Sequence, residues 1–179
     1  MSTNINTIPQ DKRLNVFLVY DDAACGVRAF DGFCRVAKKL KADFKTFAWG
    51  TDWLLDPSLQ PEASGELARA EILAVSVHGD KDLPSTWKEW FGAALKKGGP
   101  QRLLIAVVEP GPFSHKIETF LRMIANFQGL DFISNLPREL PPAFQPKQIS
   151  WSGVIDTVSP LLRPLARPSG QYAHWGINE

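Results

Sequence analysis

A chain of 179 residues, 44% hydrophobic and 22% charged, fits one domain with a sizeable core and needs no staples. Its formal charge of +1 offers no basic field to a polyanion, which sets aside nucleic acid and anionic membranes as partners. No window approaches the roughly 18 apolar residues that span a bilayer. The start Met1–Pro9 lacks the basic-then-apolar pattern of a secretory signal, so the expectation is a cytoplasmic protein.

Residues 1–13 read as a polar lead-in. The first strand is Leu14–Tyr20, an apolar run that ends in Asp21 and Asp22. Being apolar on both faces, it belongs in the centre of a layered sheet. A helix over Ala24–Leu40 follows, with Val27, Phe30, Cys34 and Ala37 predicted inward and Lys38, Lys39 and Lys41 at its negative end. Cys25 and Cys34 lie nine positions apart in that helix. At about 100° per residue they face opposite ways, roughly 13 Å apart along the axis. They read as two reduced thiols that cannot bridge, with Cys34 in the core. Cys25, near the helix start but behind two aspartates, is not assigned a catalytic role.

A second strand over Asp43–Trp49 leads into a loop whose Trp53, Leu54 and Leu55 are expected to fold back on the sheet. A short helix, Pro61–Ala70, opens on a proline suited to a first turn. The third strand, Ile72–Val77, is closed by His78-Gly79-Asp80. The next helix carries Thr86 and Glu89 as a capping box and Trp87, Trp90, Phe91, Ala94 and Leu95 as its face, and Gly98-Gly99-Pro100 stops it. A fourth strand, Leu103–Val108, runs to Glu109. A helix from Ser114 then presents Ile117, Phe120, Leu121, Ile124 and Phe127 inward and stops at Gly129. A weaker fifth strand, Asp131–Asn135, precedes a proline-rich crossing at Leu136–Pro146, a last helix at Ser152–Leu165, and a tail over 166–179 with Tyr172, His174 and Trp175.

Strand and helix alternate five times, with connections long enough for parallel crossovers. The expected fold is an α/β doubly wound five-stranded parallel sheet of order 2-1-3-4-5, spanning residues 14–165. Its switch point lies between the first and third strands, where open α/β sheets place ligands.

That order makes neighbours of Asp21, Asp22, Ser76, His78, Asp80 and Glu109. Repulsion among the carboxylates raises at least one pKa unless a cation or the histidine stands between them. A magnesium ion on Asp21 and Asp22, or an acid–base pair using His78, are the functional uses. The plain use is an aspartate capping the first helix while the rest face solvent. Ser76 and His78 share a strand face, but no Gly-x-Ser-x-Gly elbow supports a serine nucleophile. The tryptophans Trp49, Trp53, Trp87, Trp90 and Trp151 are expected mainly in the core.

The stretch Val16–Asp22 resembles the first strand and acidic pair of response-regulator receiver domains, whose carboxylates hold magnesium. Aligned on the receiver's third strand, Ala70–Ser76 puts Ser76 at the phosphoacceptor position, and Ser134 and Asn135 stand where the family has a lysine. The resemblance is to a degenerate receiver. The run Ala70–Gly79, then Leu83-Pro84 and Trp87–Phe91, is similar to flavodoxin-like proteins and flavin reductases. Their phosphate loop corresponds to Tyr20–Gly26, whose two carboxylates repel a phosphate and disfavour FMN. Over its whole length, through Tyr20-Asp21-Asp22, Leu83-Pro84 and His174–Glu179, the chain is most similar to uncharacterised bacterial flavodoxin-like α/β proteins.

The functional expectation is a non-catalytic signalling or partner-binding module, acting on a protein partner or a second copy. The face around Trp87–Phe91 and the terminal segment are its candidate contact surfaces. The alternatives are a small-ligand binder or enzyme with the acidic site, and a flavin protein.

Overall fold

A computed structural model describes residues 13–101 and 103–136. The expected lead-in before residue 13, most of the proline-rich crossing, the last helix, Trp151 and the tail lie outside the described residues.

Five parallel strands form one sheet: β1 (Leu14–Tyr20), β2 (Phe44–Gly50), β3 (Ile72–Val77), β4 (Leu103–Val108) and β5 (Asp131–Ser134). Their order is β2-β1-β3-β4-β5, as the alternation predicted. The register aligns Val19 with Trp49 and Val75, and Val75 with Ala106, so the carboxyl ends of β2, β1, β3 and β4 lie along one edge. Every residue of β3 and β4 is buried, which is why both read as unbroken apolar runs.

Helix α1 (Ala23–Leu40) covers one face, where Ala29, Phe33 and Val36 pack on Leu14, Val16, Leu18, Ile72 and Ala74. The opposite core joins Phe17, Val19, Leu73, Val75, Leu104 and Ala106 to side chains of α2 (Gln60–Leu67), α3 (Ser85–Lys96) and α4 (Ser114–Gln128). This placement follows from the right-handed hand of parallel crossovers. The connection from β1 to β2 runs one way along the sheet and the later three run the other way.

The inward face of α1 differs from the expected one. Cys25, Ala29, Gly32, Phe33 and Val36 are buried, whereas Val27, Phe30 and Cys34 are exposed. Two stripes with helical spacing compete on this helix. The one with small residues at 29 and 32 wins because it lets the helix approach the sheet closely. Both cysteines are free, as expected, but it is Cys25 and not Cys34 that lies in the interior.

Three further expectations are corrected. Helix α3 begins at Ser85 on Pro84, with no side-chain cap, so Thr86 and Glu89 form no capping box. Phe127 is 80% exposed on α4. Trp87 and Phe91, offered as a contact face, are fully buried, so they are core and not contact surface. The loop after β2 folds back only in part: Leu54 of a short 3-10 turn is buried, while Trp53 stays out. Gly129 closes α4 in the left-handed conformation, as its position promised.

Asp82 ties the β3–α3 loop to both neighbouring helices, through Lys88 Nζ and Lys116 Nζ at 2.7 Å each. Burial raises its pKa, but the two ammonium groups outweigh that and hold the carboxyl below its ordinary value. Between the folded and unfolded pKa values the unfolded chain binds more protons, so stability rises with pH there. The contribution is complete above the ordinary aspartate value of about 4 and is lost as pH falls through the lower folded value. In urea titrations, Asp82→Asn should therefore be less stable than the wild type at neutral pH. The gap should close as the pH is taken down through that window, and a gap constant with pH would refute the ion-pair account.

Candidate functional site

The carboxyl edge gathers its polar side chains by giving each strand end a different task. Asp21, at the end of β1, accepts from the His78 backbone N–H at 2.9 Å and from Thr51 Oγ1 at 3.0 Å. One carboxylate thus latches the ends of β2, β1 and β3 together. Ser76 is buried on β3 and donates its hydroxyl to the Cys25 carbonyl at 3.3 Å, pinning the first turn of α1 to the sheet. Both are committed inside the protein.

Asp22 performs the capping expected of one aspartate. Its Oδ1 accepts from the Cys25 backbone N–H at 2.8 Å. Its other oxygen, Oδ2, stands 2.9 Å from His78 Nε2. The opposite ring nitrogen, Nδ1, lies 2.5 Å from Glu109 Oε2. The histidine therefore sits between two carboxylates, the arrangement that relieves their repulsion.

The pKa shifts agree with this placement. Asp22 is lowered to about 2, first by the Cys25 backbone hydrogen bond and then by His78. The imidazole of His78 is raised, first by its hydrogen bond to Asp22, against a smaller opposing effect of burial, and then by Glu109. Asp80 does not join them. It is exposed on the loop after β3, and its side chain makes no hydrogen bond or ion pair among the described residues.

Two members escaped the sequence reading. Cys25 Sγ lies 3.5 Å from His78 Nε2, and Arg28 Nη2 donates to that sulfur at 3.3 Å. Arg28 also pairs with Glu109 Oε1, closing a ring through Asp22, His78, Glu109, Arg28 and Cys25. Burial raises the Cys25 thiol, with the Arg28 hydrogen bond working against it. The signal that could have found them is local. Residues 25 and 28 follow the Asp22 cap by three and six positions, about one and two helical turns, so their side chains share the edge that Asp22 occupies.

Beside this ring lies an open apolar cleft of about 330 Å³, lined by Leu18, Tyr20, Ala23, Gly26, Val27, Phe30 and Ala48. Trp53 stands edge-on to Tyr20 at its border, with ring centroids 6.5 Å apart.

The sheet order, parallel register and two-sided helix cover define a flavodoxin-like α/β domain. Several solved structures are similar to it. Among them, the RPS4 and RRS1 TIR domain heterodimer is 10% identical, with 85% of this chain and 98% of that one covered and a TM-score of 0.49. A flavodoxin from the domain Archaea is 12% identical, with 86% and 96% covered and a TM-score of 0.43. No protein-family profile and no curated protein matches the chain. Among the described residues, no helix is long and apolar enough to cross a membrane.

Proposed function

We propose that this protein is a partner-binding module that works through the surface around the α1–β2 cleft. One observation carries the reading. Val27, Phe30 and Trp53 are 60%, 50% and 54% exposed and gather at one cleft, directly beside the charged ring of Asp22, Arg28, His78 and Glu109. Large apolar anchors flanked by charged groups are how protein interfaces are composed. The site chemistry supports a non-catalytic role, since Asp21 and Ser76 spend their polar atoms on holding strand ends and α1 in place. The partner is a protein or a second copy of this chain.

The test is a charge placed in the cleft wall. At micromolar concentration the wild type is expected to self-associate, or to co-elute with a partner from lysate, in size-exclusion chromatography with light scattering. The pair Val27→Glu and Phe30→Glu should elute alone with an unchanged melting midpoint, because both positions are exposed. A wild type that is monomeric and partnerless at that concentration would sink the proposal.

A small-ligand or acid–base role is the second reading, and the grip of Asp22 and Glu109 on both ring nitrogens of His78 favours it. A magnesium ion shared by Asp21 and Asp22 would have to bind Asp21 through the lone pairs left beside its bonds from Thr51 and the His78 N–H. For a flavin, Asp22 and Glu109 at the same edge repel the phosphate.

A further inference from the structure

We propose that Asp22, Cys25 and His78 form a three-ligand site for a borderline divalent ion of the zinc class. One donor atom from each of the three residues lies within 4.8 Å of the others. Around a tetrahedral zinc with bonds of about 2.0 Å to nitrogen or oxygen and 2.3 Å to sulfur, donors stand roughly 3.3–3.5 Å apart. Nε2 of His78 is already 3.5 Å from Cys25 Sγ and 2.9 Å from Asp22 Oδ2. The Nε2–Sγ pair needs no movement, and the Nε2–Oδ2 pair needs to open by about half an ångström. The carboxylate and sulfur atoms, within 4.8 Å of each other, close on the ion by rotation of the exposed Asp22 side chain.

The surroundings supply an independent indication. A ligating histidine is fixed by a hydrogen bond on its other nitrogen, commonly to a carboxylate. Glu109 Oε2 provides it at Nδ1 and so reserves Nε2 for the ion. Asp22 is aimed by its own bond to the Cys25 N–H, which leaves Oδ2 as its ligand atom. With thiolate, carboxylate and neutral imidazole, a doubly charged ion brings the three-ligand set to zero net charge. Glu109 and Arg28 balance each other beside it. The N–H that Arg28 donates to Sγ is compatible with a metal thiolate, because sulfur keeps lone pairs beyond the one that binds.

The donor set decides the metal class. Magnesium and calcium take oxygen ligands, whereas a sulfur and an imidazole nitrogen select zinc and its neighbours. Three protein ligands leave a fourth position. Asp22, whose side chain is 51% exposed, places that position at the protein surface, where water or a side chain of another molecule can occupy it. The site uses none of the cleft residues Val27 and Phe30, so it stands or falls separately from the docking surface.

The experiment is a titration of the chelator-stripped full chain with Zn2+ and, separately, with Co2+. One ion per chain is expected by equilibrium dialysis and elemental analysis, unaffected by excess Mg2+. The Co2+ form should show thiolate-to-cobalt charge-transfer absorption in the near ultraviolet. Cys25→Ser should abolish that absorption, His78→Gln should weaken binding at least about tenfold, and Cys34→Ser should change nothing. Glu109→Gln, a positioning change, should weaken binding about 10–100-fold while the absorption is kept at saturating cobalt. Binding without the charge-transfer band in the wild type overturns the proposal without recourse to any variant. So do binding unchanged in His78→Gln and the absence of binding at micromolar metal.

Discussion

Gly79→Ala is expected to destabilise the protein by about 3 kcal/mol and to separate His78 from Glu109. The loops after β3 and β4 cross here in backbone-to-backbone contact. A Cβ on Gly79 would run into the Glu109 carbonyl and Ser114 Oγ, and one on Gly111 into the Gly79 carbonyl. The hydroxyl can rotate away, but only by withdrawing the one proton it shares between the Glu109 and Gly111 carbonyls at 2.8 and 3.0 Å, a bond worth about 0.5–1.5 kcal/mol. The carbonyl of Glu109 cannot yield alone, since the backbone around it is tied by Glu109 N–H to the Val77 carbonyl and by Phe113 N–H to the Gly79 carbonyl, both at 2.9 Å. Overpacking of this kind costs about 1–3 kcal/mol on its own. The sum predicts a fall in melting midpoint of roughly 6–12 °C for a chain of this size.

The contrast lies inside the same protein. Gly65 and Gly92 sit in α2 and α3, where an added Cβ meets nothing within 4 Å. Alanine at either should stabilise by about 0.5–1 kcal/mol, because glycine loses the most backbone freedom on folding. Thermal denaturation of the three variants decides the matter. A Gly79→Ala protein as stable as the wild type would mean that the loop crossing does not hold the two halves of the site together.

The second large effect is expected at Trp87. This side chain is fully buried, stacked on Phe91 with centroids 4.8 Å apart and edge-on to Phe120 at 6.3 Å. Trp87→Ala should cost about 3–5 kcal/mol, as deletions of large aromatic groups from cores do. Its indole N–H, however, has no acceptor among the described residues. An unpaired buried donor carries a penalty of about 1–3 kcal/mol. Trp87→Phe keeps the stacking partner and removes that donor, so it should recover most of the loss. Urea midpoints that place the phenylalanine variant only midway between the alanine variant and the wild type, as its smaller ring alone would, would show that the N–H is satisfied.

Much of the fold was legible because apolar runs are a local property. Ile72–Val77 and Leu103–Val108 could only be strands covered on both faces, and the long connections between strands required parallel pairing. Chain punctuation was equally legible, from an aspartate of the Asp21-Asp22 pair as a helix cap to Gly129 as a helix stop. The errors cluster where two local patterns were both admissible. On α1 the stripe through Val27, Phe30 and Cys34 has the same spacing as the one through Ala29, Phe33 and Val36. Only contact with the sheet separates them. At α3 the pair Thr86 and Glu89 has capping-box spacing, yet the helix begins on Pro84.

The candidate site divides in the same way. Strand order alone brought Asp22, His78 and Glu109 to one edge, but that a histidine ring stands between the two carboxylates is visible only in the tertiary structure. The sequence could not show that Asp21 and Ser76 serve as internal ties or that Asp80 stands apart. Nor could it show that Cys25 and Arg28 belong to the group.

By itself the sequence determined the succession of elements, the two-sided burial of the central strands and the edge at which chemistry would collect. These depend on side-chain polarity and on the handedness of the chain, and both are written residue by residue. The tertiary structure decided which face of α1 is buried, and with it everything particular about the site. Cys25 and His78 are 53 positions apart and meet only through the rotation of one helix against one sheet. That rotation is set by how closely small side chains allow two surfaces to pack.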